Sequence, residues 1–332
     1  MNGLTARHLP EIRAELSAWL ADPGEHGGSS VWSRHLPPRE AALEARAARE
    51  WAAALTIAEL FYVSADMTRL AMAAGAALPS YRIAPEDLPA THGLLLWEEP
   101  VTEAFESLGS IGAPIIAASW AVKGGGLEVR LWCEREDWLR FMAKGDPTDP
   151  SMPDMTPEQI KLTRTLMPQP IVCMSSSTLP FQEVPGWLTS APHDTSGMSL
   201  ADLEDYARSA SRTEQAERAL VVTWLLMGQT LASEEEVRAP KSALRNIRRL
   251  NPALLTSVRY VQLRHRGHVH GEKQKIPGQR GYQFRWIVRG HWRNHYYPSR
   301  RTHRPIWIDH HVKGPEGAPL LDPDKLVNVL RR

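Results

Sequence analysis

Two groups of residues in the last third of this 332-residue chain could do chemistry. His268 and His270 stand two apart in strand-like text, which puts both imidazoles on one face at a spacing metal ions use. His291, His295, His303, His310 or His311 could supply a third ligand. An Arg-rich setting makes a solvated or phosphate-facing pair the commoner outcome. No metal is therefore assigned, and His268 and His270 stay as the weak alternative. The second group is His291 with Arg293. A metal-independent endoribonuclease needs an acid–base group that titrates near neutrality and a cation for the phosphorane charge. His291 and Arg293 could fill those catalytic roles. The simpler reading is a face that holds phosphate without cutting it.

Other chemistries find little support. The last third holds Glu272, Asp309, Glu316, Asp322 and Asp324, none paired at the spacing a two-metal site needs. No G-x-x-x-x-G-K-[ST], G-x-G-x-x-G or G-x-S-x-G occurs, so no cofactor is expected. Cys133 and Cys173 lie in apolar, strand-like segments and read as core residues.

Charge sets this region apart. Residues 238–332 carry 21 Lys and Arg against 5 Asp and Glu, a net +16. The preceding 237 residues carry 18 against 33, a net −15. Eight of the thirteen histidines also fall in the basic part. Such a division attracts polyanions at one end and repels them from the other. The charge division therefore points to a nucleic-acid partner, RNA or DNA. A basic face that docks an acidic protein is the non-nucleic-acid alternative.

The elements that must position these groups follow from periodicity. Residues 1–80 read as helical: Leu43, Ala47, Trp51, Leu55, Ala58 and Tyr62 form one apolar stripe, and a second helix spans roughly Asp66 to Ala77. Residues 81–198 read as mixed α+β. Within them HGLLLWEEPV and IIAASWAVKGGGLEVRLWCE predict three strands, the last two joined by a glycine turn. Residues 145–198 look loop-rich, with a short helix signalled by Thr156, Pro157 and Gln159 and one further strand in PIVCMSSS. Residues 199–332 hold helices followed by a basic β-rich region. A capping box at Ser211 and Glu214 predicts a helix through ALVVTWLLM, apolar on every side and so buried.

A short helix, PKSALRNIRRL, then carries Lys241, Arg245, Arg248 and Arg249 on one side, with Leu244 and Ile247 on the other. From Tyr282 the text alternates. Tyr282, Phe284, Trp286, Val288 and Trp292 face a core, while Arg285, Arg289, His291 and Arg293 face out. SVRYVQLRH and RPIWIDHH predict partner strands. The expected fold class is α+β, with a basic antiparallel sheet in the C-terminal third. Lys241, Arg245, Arg248, Arg249, Arg285, Arg289 and Arg293 are the expected nucleic-acid-binding residues.

The segment from Ala219 onward, through RHRGHVHG to FRWIVRGHWRNHYYPSRRTHRPIWIDHHVKG, resembles the C-terminal part of the type V anti-CRISPR family. That family suppresses production of the CRISPR nuclease by acting on its messenger RNA. The matching positions are His291, Trp292 and Arg293, then Trp307 and Ile308; Arg293 stands where the family pattern has a second histidine. The resemblance covers about the last 110 residues and implies a phage or mobile-element accessory protein that engages RNA in preference to DNA, with the acidic N-terminal part recognising a protein target. The most apolar stretch, Ala219 to Met227, has nine residues including Thr223, too few to span a bilayer, and the charged N-terminus lacks a signal-peptide core. A cytoplasmic protein with no membrane partner is expected.

Overall fold

The computed structural model describes residues 3–33, 36–78, 81, 83–103, 105–107, 110–144, 154–181, 200–264, 284–299, 301–315 and 318–319. Three helices, α1 (Leu9–Ala21), α2 (Gly28–Ser33) and α3 (Pro38–Ile57), precede strand β1 (Glu59–Val63) and helix α4 (Ala65–Ala76). Strands β2 (His92–Trp97), β3 (Phe105–Ser107), β4 (Ser110–Gly112), β5 (Ile115–Lys123) and β6 (Gly126–Glu134) follow, then α5 (Arg135–Met142) and α6 (Pro157–Leu166). After β7 (Ile171–Pro180) come α7 (Leu200–Met227), β8 (Ala232–Arg238), α8 (Lys241–Leu250) and β9 (Ser257–Leu263). The chain closes with β10 (Trp286–Val288), β11 (His291–Tyr297), β12 (Thr302–Ile308) and β13 (His311–Lys313).

The fold is α+β. A seven-stranded sheet runs β7-β6-β5-β2-β1-β9-β8, with β2, β1 and β9 parallel and the other pairs antiparallel. Strands from each of the three sequence regions are hydrogen-bonded into this one sheet. Alternation sends Leu60, Tyr62, Leu94 and Leu96 to a cluster with α1 and α3. Phe61, Val63, Leu95 and Trp97 go to the opposite cluster with α4 and α7. Trp120 ties that second layer together, stacked on Phe61 at 5.6 Å and edge-on to Trp224 at 4.9 Å.

Several expectations are met. Gly124 and Gly125, at φ 59° and 84°, form the two-residue turn between β5 and β6, a backbone shape that glycine adopts without strain. Thr156 and Gln159 make a reciprocal capping box on α6. Within 145–198 the expected short helix and strand are both present, as α6 and β7, and residues 145–153 and 182–198 lie outside the described residues. Others are corrected. The stripe read as one helix through Tyr62 is two elements: α3 stops at Ile57, and Leu60 to Val63 are buried in β1. Leu43 is exposed. Helix α7 starts at Leu200, so Ser211 and Glu214 lie inside it rather than capping it. SVRYVQLRH does not pair with the basic strand; β9 lies between β1 and β8.

One buried group makes the fold sensitive to pH. Glu217 on α7 is 1% exposed and accepts a hydrogen bond from the Ser177 hydroxyl on β7. Burial pushes its carboxyl up to about 7, against the lowering effect of that hydrogen bond. The folded state therefore keeps a proton that the unfolded chain releases above pH 4.5. Stability should fall as pH rises from about 4.5 to 7, by about 3 kcal/mol for this group alone. Urea unfolding at pH 5 and pH 8 should show that loss in the wild type and a smaller one in Glu217→Gln. Identical pH dependence in both proteins would show that Glu217 is not its source.

Candidate nucleic-acid interface

The C-terminal ribbon is one hairpin with a gap. Strand β10 pairs with β13 so that Val288 faces His311, and β11 pairs with β12 so that His291 faces Ile308. Three residues forward on one arm match three back on the other, so the register is the same on both sides of the break. Arg289 and Gly290, and Asp309 and His310, fall in the gap.

Gly290 is required there: a Cβ at this position would overlap the Trp307 ring. Trp307 joins the α4–α7 cluster and stands edge-on to Trp292 at 5.4 Å. The Trp292 indole N–H donates to the Ala74 carbonyl on α4 at 2.8 Å, and the Trp307 backbone N–H donates to Gln229 Oε1 at 3.1 Å. These contacts fix the ribbon to one layer of the sheet.

Arg289, His291 and Arg293 are exposed, as the alternation predicts. Neither arginine forms an ion pair with a described residue. Arg293 lies 3.5 Å from His295 Nδ1. Two other arginines of this region have structural partners instead. Arg285 is half-buried and donates through Nε to the Ala318 carbonyl at 2.7 Å. Arg304 ion-pairs with buried Asp87 at 3.0 Å. Arg285 is thus held by the backbone and does not join Arg289 and Arg293 as an open cation. Phe284, expected in the core, is exposed.

A cavity of about 470 Å³ opens where the two halves of the ribbon meet. His291, Arg293, Asn294, His311 and Lys313 line it, with Val288, Trp292 and Ile308 as its apolar part. The two imidazoles are held alike. His291 Nδ1 lies 3.1 Å from the Arg289 carbonyl, and His311 Nδ1 lies 3.0 Å from the Asp309 carbonyl. A carbonyl only accepts, so each bond requires a proton on Nδ1 and leaves Nε2 as the free nitrogen of the neutral ring. Both carbonyls belong to the gap. The sequence reading offered His311 only as a possible metal ligand and did not single out Lys313; the constant pairing register across the break places both near His291.

The α8 cations stand elsewhere. Lys241, Arg245, Arg248 and Arg249 are exposed as expected, while Ala243 and Ile247 pack against α1. Asn246 secures that contact through Glu11 and Glu15, each at 2.9 Å. Helix α1 covers the sheet face opposite the one on which Trp292 and Trp307 dock. The expected binding residues therefore form two surfaces on opposite layers, not one. His268 and His270 lie outside the described residues. Among the described residues, no group of three or more His, Cys, Asp or Glu is placed to hold a metal ion, and no helix is long and apolar enough to cross a membrane.

Fold and site together define an α+β protein with a two-stranded ribbon docked on one layer of a mixed sheet. Compared with protein-family models and with curated proteins, the chain finds no match.

Proposed function

We propose that the ribbon binds the phosphate backbone of single-stranded nucleic acid, RNA in preference to DNA. The observation that carries this reading is a set of three cations, Arg293 and Lys313 lining one cavity and Arg289 in the adjoining gap, with no acidic partner among the described residues. Cations without an internal counter-charge are free to displace counterions from phosphate. Two further features support it. Exposed Tyr296 lies 4.9 Å from the His303 ring at the ribbon's far end, a platform on which an unpaired base can stack. The resemblance of the tail to the type V anti-CRISPR family favours RNA, and with it the role of a phage or mobile-element accessory protein that silences a host defence transcript. The acidic first two thirds, which repels RNA, is the part proposed to recognise a protein target.

The full chain is the material for the test, because residues 238–332 alone would separate β9 from its neighbour β1. Fluorescence anisotropy with a labelled single-stranded RNA should show affinity falling steeply between about 50 and 200 mM salt. The log–log slope should be about −0.7 per phosphate contact. Arg289→Ala with Arg293→Ala should make that slope shallower by about 1.4 without shifting the thermal melt, since both side chains are exposed. Salt-insensitive binding, or none, would overturn the reading.

A further inference from the structure

Going beyond binding, and resting on the reading that the ribbon holds RNA, we infer that the cavity cleaves RNA, with His291 and His311 exchanging the protons. The ligand class follows from the lining. Two imidazoles, an arginine, a lysine and an amide share one opening with an indole and two aliphatic side chains. A phosphodiester flanked by bases presents the complementary chemistry: negative oxygens for Arg293 and Lys313, and flat apolar rings for Trp292.

Each imidazole is held at Nδ1 by a gap carbonyl, at 3.1 Å for His291 and 3.0 Å for His311. Each therefore offers Nε2 to a ligand, as a base when neutral and as an acid when protonated. One neutral ring and one protonated ring make a complete set for transfer to the neighbouring 2′-hydroxyl. The 2′-oxygen forms its bond to phosphorus and gives its proton to the neutral imidazole. The bond from phosphorus to the 5′-oxygen breaks, and that oxygen takes its proton from the imidazolium. Arg293 and Lys313 stabilise the added negative charge on the phosphorane oxygens. The products are a 2′,3′-cyclic phosphate and a 5′-hydroxyl, and the step balances with no further reactant. A 2′-deoxy strand lacks the nucleophile, so the activity is confined to RNA.

The experiment incubates the full chain, in EDTA, with labelled single-stranded RNA and with the same sequence fully 2′-O-methylated. Gel analysis and mass spectrometry read the product ends, and anisotropy reads binding in parallel. The expected result is cyclic-phosphate ends from RNA and no cleavage of the methylated strand, although both are bound. His291→Ala and His311→Ala should each slow cleavage by about 100-fold or more, the contribution of a positioned acid or base, without abolishing binding. The methylated strand tests the nucleophile without relying on a variant. RNA that is bound but remains intact would overturn the inference and leave the binding reading standing. So would variants that cut at the wild-type rate, or cleavage lost in EDTA and restored by zinc. Absence of binding to either strand would instead defeat the reading on which the inference rests.

Discussion

Replacing Trp307 with alanine is expected to destabilise the protein by about 3–5 kcal/mol, the range for truncating a large buried aromatic. The ring is 8% exposed and sits in the same apolar cluster as Trp120, Trp224 and Leu226. It also fills the space beside Gly290 and supports the edge of Trp292. Its loss leaves a void that glycine cannot fill and removes one of the two indoles holding the ribbon to the sheet. The cost should therefore appear in two measurements. Urea unfolding should shift to lower denaturant, and RNA affinity should fall even though no charge has been removed. The Arg289 and Arg293 pair provides the contrast, with weaker binding at unchanged stability. A Trp307→Ala protein with wild-type unfolding would mean that ribbon docking contributes nothing to the fold.

The second large effect is expected at Arg13. This side chain on α1 is fully buried, donates at 2.9 Å to the Ala58 carbonyl just after α3, and bonds the Leu255 carbonyl before β9. Burial lowers its guanidinium to about 10, which leaves it charged at neutral pH. It satisfies the buried Ala58 carbonyl and the part-buried Leu255 carbonyl, and ties α1 to the segments that lead into β1 and β9. Arg13→Ala would orphan both carbonyls and open a cavity, at about 3–5 kcal/mol. Arg13→Met refills the volume and removes the buried charge, so it should cost less than alanine. Thermal and urea unfolding of the two variants check this order; methionine as damaging as alanine would show that packing has no part in the effect.

The legible parts of the fold were those with a strong local signature. The turn at Gly124 and Gly125, the capping box at Thr156 and the amphipathic α8 each depend on residues close in sequence. β1 was missed because ELFYV is buried on both faces and shows no alternation. It follows an alanine-rich helix after one residue, so its apolar side chains extended the helical stripe. β9 was misplaced for a different reason: SVRYVQL has strand character, but nothing local indicates whether its neighbour is β1 or the basic strand.

At the candidate site, alternation placed His291 and Arg293 on an exposed face, and the structure agrees. It did not reveal that Arg285 bonds a backbone carbonyl, nor that α8 lies on the other layer. Both facts depend on long-range packing. His311 stood only among the possible third metal ligands until the hairpin register brought it level with Val288.

That register limits how the tail can change in sequence. Because β10–β13 and β11–β12 keep one count across the gap, a single residue inserted in either gap segment would put the two halves out of step. Trp292 and Trp307 could then stay opposite one another only if Val288 lost His311 as its partner. A side-chain period of two would at the same time turn the shifted arm over, exchanging its outward and inward residues. A compensating insertion in the opposite gap segment would restore the match. Length changes near positions 289–290 and 309–310 should therefore occur in pairs, whereas a change beyond the Tyr297–Thr302 pair leaves the register untouched.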